Sequence, residues 1–363
     1  MIYAIYLLCL LILLKLERDY KSTNNIIRFL IPILYVFLIG LRGANVGVDT
    51  PAYYEHYYTF GQWGCSFVEV GFDWLNRILY HQGFSHVPFF VICALVTIGP
   101  VAIAVNNKLT RQEYSLFMLL FCTITFASMC NGMRQNMACG ILFYLIFWYT
   151  SSNWKLLYKI CIYILGVYAA SLFHASVLIV APIIFLSYLK LSNKIYLFLY
   201  LLSFIFIFIN ISSYIPDVEI GTRDYGRFMG GESMNRKASL LGFSVAETRN
   251  FLFLLLLINT NAFKKHNLFA TLSFIMLILA HMNYNIPIIG RINMYFVFFY
   301  IYMLPKLTYD SSLKENKNLR SILTFLFIII SVLLLYSIIS PTNKLRPYMF
   351  YWEAPNYTLF HHF

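Results

Sequence analysis

Apolar residues in this chain fall into blocks of about 15 to 22, separated by short polar stretches that hold nearly all the charge. Coiled as helix, a block of that length matches the hydrocarbon core of a bilayer, where every backbone N–H and C=O has to be satisfied within the segment. Composition agrees: 60% of residues are hydrophobic and 12% charged, about half the charged share of a water-soluble domain. The pattern predicts an all-α polytopic membrane protein, one integral domain over 1–363. About twelve spans are expected, at 1–15, 26–41, 87–105, 114–130, 134–150, 156–172, 174–189, 194–211, 250–263, 267–282, 287–304 and 321–340. The first block lacks a basic leading region and a small-residue cleavage site, so it reads as a span and not as a removed signal.

Basic residues orient such a bundle. With loop 16–25 cytoplasmic, 12 Lys and 4 Arg lie on or beside the cytoplasmic side and 2 Lys and 9 Arg on the other, together the 27 of the chain. Ten of the 15 acidic residues share the second side, so it is nearly neutral while the cytoplasmic side is strongly positive. Both termini are therefore expected outside. Lysine suffices to orient a helix, whereas the planar guanidinium binds phosphate and carboxylate with two parallel hydrogen bonds. The outer arginines are the better functional candidates. The net charge of +12 is on this view a topology signal, and nucleic acid is not an expected partner. Six of the seven cysteines lie in or beside apolar blocks, which implies neither a disulfide framework nor a metal site.

Two long outer-face loops, about 42–86 and 211–250, and an outer tail, 341–363, are large enough to build a site. In the first loop Val70, Trp74, Ile78 and Leu79 recur at helical spacing and predict a short interfacial helix. The stretch "LRGANVGVDTPAYYEHYY" is expected to place Arg42 and Asp49 at the water boundary, with Tyr53 and Tyr54 open to stack on sugar rings. In "MCNGMRQNMACG", Arg134 and Gln135 sit at a helix start, where free N–H groups already favour anions. "FHASVLIV" offers His174 and Ser176, a group that titrates near neutrality beside a hydroxyl. In "NIPIIGRINMYF", Pro287 and Gly290 interrupt the backbone next to Arg291. The second loop places Arg223 and Arg227 around Tyr225. Walker loops, GxSxG elbows, acidic DxD pairs and metal-ligand spacings are missing from the sequence. What remains is metal-independent and cofactor-independent work on an anionic substrate from the outer face.

Four motifs taken in order, "RGANVGVDTPAYY", "RQNMACG", "FHASVLI" and "GRINMYF", resemble the EpsG-like branch of the Wzy-type polysaccharide polymerases, and "RPYMF" near the end resembles that family's closing segment. The resemblance implies a substrate and a place. Undecaprenyl-diphosphate-linked oligosaccharide units would be joined into O-antigen, capsule or exopolysaccharide outside the bacterial cytoplasmic (inner) membrane, alongside a flippase and a chain-length regulator. A hydroxyl of one unit would attack the anomeric carbon of another and the lipid diphosphate would leave. Arg134 and Arg291, with Arg42 and Arg223, would meet the charge on the leaving group, and His174 or Asp49 would take the proton. A flippase for the same units, a ligase-type transferase and an O-acetyltransferase are the competing expectations.

Overall fold

The computed structural model describes residues 2–19, 26–208 and 240–310, with shorter pieces at 219–220, 223–224, 322–323, 325–326, 329, 345 and 348–353. Their named elements are helices and a two-residue antiparallel ribbon that pairs Glu219 with Asp224 and Ile220 with Arg223. The chain packs as two compact units, Met1–Leu178 with Lys317–Phe363, and Ile179–Asn316.

Unit 1 holds α1 (Ile2–Asp19), α2 (Ile26–Gly40), α3 (Thr50–Phe60), α4 (Val70–His81), α5 (His86–Asn106), α6 (Arg111–Ile124), α7 (Phe126–Asn131), α8 (Met133–Ser151) and α9 (Leu156–Ser171). α5 is its axis, packed against α2 and α8, with α9 on α8 and α1 on α2 and α6. Lipid offers no hydrophobic drive between helices, so close approach over small residues has to hold them. Gly140 on α8 supplies it: a Cβ there would stand 2.2 Å from the carbonyl oxygen of Thr97 on α5. The outward faces stay apolar, with Ile26, Phe29, Leu30, Ile33 and Phe37 exposed on α2 and Leu156, Leu157, Ile164, Leu165 and Tyr168 exposed on α9. Among the described residues two helices are long and apolar enough to cross a membrane, His86–Asn106 and Ile288–Thr308. Shorter apolar helices at Ile26–Gly40, Leu156–Ser171, Asn193–Phe208 and Asn267–Met282 accompany them.

Most expected spans coincide with helices to within a few residues. The differences have local causes. The 114–130 block divides at Thr125, whose hydroxyl turns back to the Phe121 carbonyl at 2.6 Å and meets Tyr35 at 2.9 Å. Expected span 174–189 is one α-turn, Val177–Val180, and a tighter 3₁₀ stretch, Ala181–Tyr188, which Pro182 enters without an N–H to donate. The helix expected from 250 starts at Leu240, because nothing between Leu240 and Arg249 breaks a helix once the apolar run beyond has nucleated it. The loop expected over 42–86 carries two helices, α3 and α4. On α4 the buried side is Phe72, Asn76 and Leu79, while Val70 and Trp74 of the expected apolar stripe are exposed. Phe72 and Leu79 pack into a cluster with Tyr54, Tyr57, Phe89 and Met137, which fixes the helix rotation. Expected span 321–340 and most of 211–239 lie outside the described residues.

Gly140→Ala should overfill the α5–α8 contact at a cost of about 1–3 kcal/mol and lower the melting temperature in detergent. Gly99→Ala, whose Cβ meets only Leu95 Cδ1 at 3.8 Å, should leave it unchanged or raise it.

Candidate functional site

α2 ends at Gly40 and the next residues pair with the tail. Gly43 N–H donates to Met349 O at 2.7 Å and Tyr351 N–H to Leu41 O at 3.0 Å, leaving Arg42 opposite Phe350. Arg42 is not at the water boundary: it is 1% exposed. Its Nε donates to Thr50 Oγ1 at 3.1 Å, its Nη1 to Ile39 O at 2.5 Å, and its guanidinium lies 4.7 Å from the centre of the Phe90 ring. A buried guanidinium needs acceptors or an aromatic face to replace its water, and the chain turns inward at Arg42 to give it both. Gly47 has φ +103° and lies so close to Asn131 that a Cβ would stand 2.7 Å from its Oδ1. That same oxygen accepts from Val48 N–H at 2.7 Å, docking the loop beside the start of α8.

Asp49 takes the N-cap position of α3 and is exposed, with its carbonyl accepting from Tyr53 N–H at 3.1 Å. Tyr53 sits among the polar groups. Its oxygen accepts from Met133 N–H, at the first turn of α8, at 3.2 Å. Burial raises its pKa, while Arg134 and Arg42 pull it down and Asp49 pushes it up. Tyr54 faces the other way. Its hydroxyl donates to Arg42 O at 3.2 Å and its ring lies 4.1 Å from His86 and 5.1 Å from Phe90, so it packs the loop and is closed to a sugar ring. The first of the two expected stacking tyrosines is half-buried and the second is buried.

Arg134, one residue into α8, is ion-paired with Glu69 at the N-cap of α4, with side-chain exposures of 21% and 11%. Its guanidinium also lies 5.7 Å from the Phe72 ring. α4 in turn starts on the end of α9: Gly71 N–H donates to Leu172 O at 2.9 Å and Phe72 N–H to the same oxygen at 3.3 Å. This brings 172–176 beside Glu69, with His174 Nδ1 2.7 Å from Ser176 Oγ. One end of unit 1 therefore gathers Arg134, Glu69, Tyr53 and Asp49 around the helix start of α8, where free N–H groups add positive potential, and the chain carrying His174 joins α4 through Leu172 O. Glu69 escaped sequence reasoning because "EVGFDW" reads only as the entry to an amphipathic helix; an acidic residue at an N-cap position was the available signal.

Unit 2 holds Arg291, half-buried at the fifth position of the helix Pro287–Thr308. A Cβ on Gly290 would stand 2.5 Å from Asn283 Oδ1, which explains the glycine before it. Asn285 Nδ2 donates to Phe206 O at 2.7 Å and Ile207 O at 2.9 Å, holding the entry turn. Glu247, His281 and Ser203 also meet in this unit, and no sequence motif announced them. A lone histidine ending the run "LSFIMLILAH" was the available signal. Arg223 is described only as backbone of the ribbon, and Tyr225 and Arg227 lie outside the described residues.

With this geometry in place, comparison with protein families matches the chain to the EpsG family over residues 25–350. The chain belongs to the EpsG family. All four ordered motifs fall inside the match, and membership points to a polysaccharide-biosynthesis polymerase of glycosyltransferase type acting in a membrane. Neither a curated protein nor a solved structure matches this EpsG-family chain.

His56, on α3, tests the packing of the site. Burial lowers its pKa below the usual 6.5. Asp73, 4.0 Å from Nε2, opposes that shift, and Arg134 adds to it. A folded-state pKa below the unfolded value gives stability that is complete above the unfolded pKa and lost as pH falls through the folded one. Thermal stability in detergent should therefore drop from pH 7.5 to pH 5.5, and His56→Gln should flatten that slope.

Proposed function

We propose that this chain joins lipid-diphosphate-linked oligosaccharide units into a polysaccharide at the outer face of the cytoplasmic membrane. The observation that carries the reading is Arg134, a half-buried guanidinium at the start of α8 that is ion-paired with one carboxylate, Glu69. Such a cation at a helix start suits a membrane-bound diphosphate, which can displace the carboxylate and take its place.

A sugar hydroxyl attacks the anomeric carbon of the donor unit. The C–O bond to the diphosphate breaks, and its electron pair leaves with the phosphate oxygen. Arg134 neutralises the charge that develops there, an electrostatic role that one donor fills to the extent of about 10²–10³ in rate. A single displacement of this kind inverts the anomeric linkage. Arg291 is the corresponding anion-binding arginine of unit 2, and Arg223, Arg227 and Tyr225 are assigned to the glycan. Arg42 contributes by holding the loop that carries Tyr53. His174, paired with Ser176, and Asp49 are the groups of unit 1 able to take the hydroxyl proton. Lipid-linked units reach the enzyme from a flippase, and a chain-length regulator is the expected protein partner.

Purified protein given undecaprenyl-diphosphate-linked oligosaccharides with a chelator and no nucleotide sugar should produce a ladder spaced by one unit on a gel. Arg134→Ala should slow ladder formation by about 10²–10³-fold, with Arg134→Lys between the two. An unchanged ladder in Arg134→Ala removes the assigned role. Transport of the units by the same protein in vesicles, with no ladder, replaces the polymerase by a flippase.

A further inference from the structure

A lipid diphosphate is charged at one end and apolar along the rest, and Arg134 answers only the charge. Beside that arginine the chain turns apolar side chains outward. Glu69, ion-paired with Arg134, is the extended residue that precedes α4, with φ −67° and ψ 142°. Around it the side chains part. Val68 packs against the cluster of Tyr54, Tyr57, Phe72 and Phe89, whereas Phe67 and Val70 are exposed, Val70 at 73%. Trp74 lies one turn along α4 on the same face as Val70 and is 65% exposed. Trp63, just before this stretch, is exposed as well.

These groups are held in place. Cys65 N–H donates to Asp73 Oδ1 at 2.9 Å, and a Cβ on Gly64, where φ is +83°, would stand 3.3 Å from Arg77 Cδ. The segment carrying Trp63 and Phe67 is thereby tied to the helix that carries Val70 and Trp74. The same helix starts on the end of α9, through Gly71 and Phe72 N–H to Leu172 O, and α9 itself exposes Ile164, Leu165 and Tyr168. Exposed apolar side chains therefore stand on both elements that meet next to Glu69. Large apolar groups left exposed together mark a binding surface. Tryptophans that only anchor a protein at a bilayer interface could stand anywhere around the unit. These flank the carboxylate that Arg134 holds, so one occupant that brings an anion and an apolar chain together satisfies both.

We infer that Phe67, Val70 and Trp74, with Trp63 on the same hairpin, bind the first isoprene units of the carrier whose diphosphate meets Arg134. The surface gives the site its choice of donor. A nucleoside diphosphate sugar offers comparable charge without the chain and gains nothing from these side chains. The inference rests on the reading of Arg134 as a diphosphate site.

The test measures the chain and the charge separately. Inorganic pyrophosphate and farnesyl diphosphate would be titrated by calorimetry into the full-length protein in one detergent. The variants are Arg134→Ala, the double variant Val70→Ser with Trp74→Ser, Trp74→Phe, and Ile103→Ser, which removes an exposed apolar side chain from α5. Val70 and Trp74 are exposed, so the double variant should melt close to the wild type. In the wild type farnesyl diphosphate should bind about tenfold more tightly than pyrophosphate. That ratio should fall to about two- to threefold in the double variant, stay mostly intact in Trp74→Phe, and be unchanged in Ile103→Ser. A double variant that keeps the ratio, an equal loss in Ile103→Ser, or a loss that only follows melting temperature would overturn the inference and leave the arginine site standing. If neither probe binds the wild type, or Arg134→Ala binds both as the wild type does, the diphosphate reading itself fails and the inference with it.

Discussion

The buried guanidinium of Arg42 fixes one end of unit 1. A cation taken out of water has to be surrounded by acceptors, and here they come from three places: the last turn of α2, the first turn of α3 and the ring of Phe90 on α5. Its own carbonyl accepts from Tyr54, and its backbone neighbours pair with the tail at Met349 and Tyr351. Removing one side chain would therefore free a loop, a helix start and the tail together. The expectation of Arg42 as a ligand contact at the water boundary gives way to a positioning role, because the guanidinium already spends its donors inside the protein.

What Arg42 positions is the start of α8. Gly47 and Val48 dock on Asn131, and Tyr53 accepts from Met133 N–H. Arg134 follows at once with Glu69 across from it. For a largely buried pair the cost of desolvation offsets much of the attraction, so its reason for being there is better sought in ligand exchange. A carboxylate keeps the guanidinium oriented while the site is empty, and a diphosphate with more charge and more acceptor oxygens can replace it. His174 enters through backbone, since Leu172 O accepts from two N–H groups at the start of α4.

Much of this was legible in the sequence, for physical reasons. Apolar blocks set helix positions because lipid demands internal backbone pairing, and the α2, α5, α8, α9 and Asn267–Met282 helices lie where the blocks are. Arg134 was legible because a cation at a helix start is a local pattern. The rotation of α4 was not, since Val70 with Trp74 and Phe72 with Leu79 are both apolar stripes and only the packing against Phe89 and Met137 chooses between them. Nor was the inward turn of Arg42, which depends on a tail some 300 residues away. Glu247 and His281 stand 34 residues apart and on different helices, so no spacing could link them; each alone resembles an interfacial charge.

The central claim is that Arg134 exchanges Glu69 for a lipid diphosphate, and equilibrium binding tests it most directly. Undecaprenyl diphosphate would be titrated into the detergent-purified protein, into Glu69→Gln and into Arg134→Ala. If carboxylate and ligand compete for one guanidinium, Glu69→Gln binds more tightly than wild type and Arg134→Ala binds far more weakly. Weaker binding in Glu69→Gln, or unchanged binding in Arg134→Ala, would contradict the account.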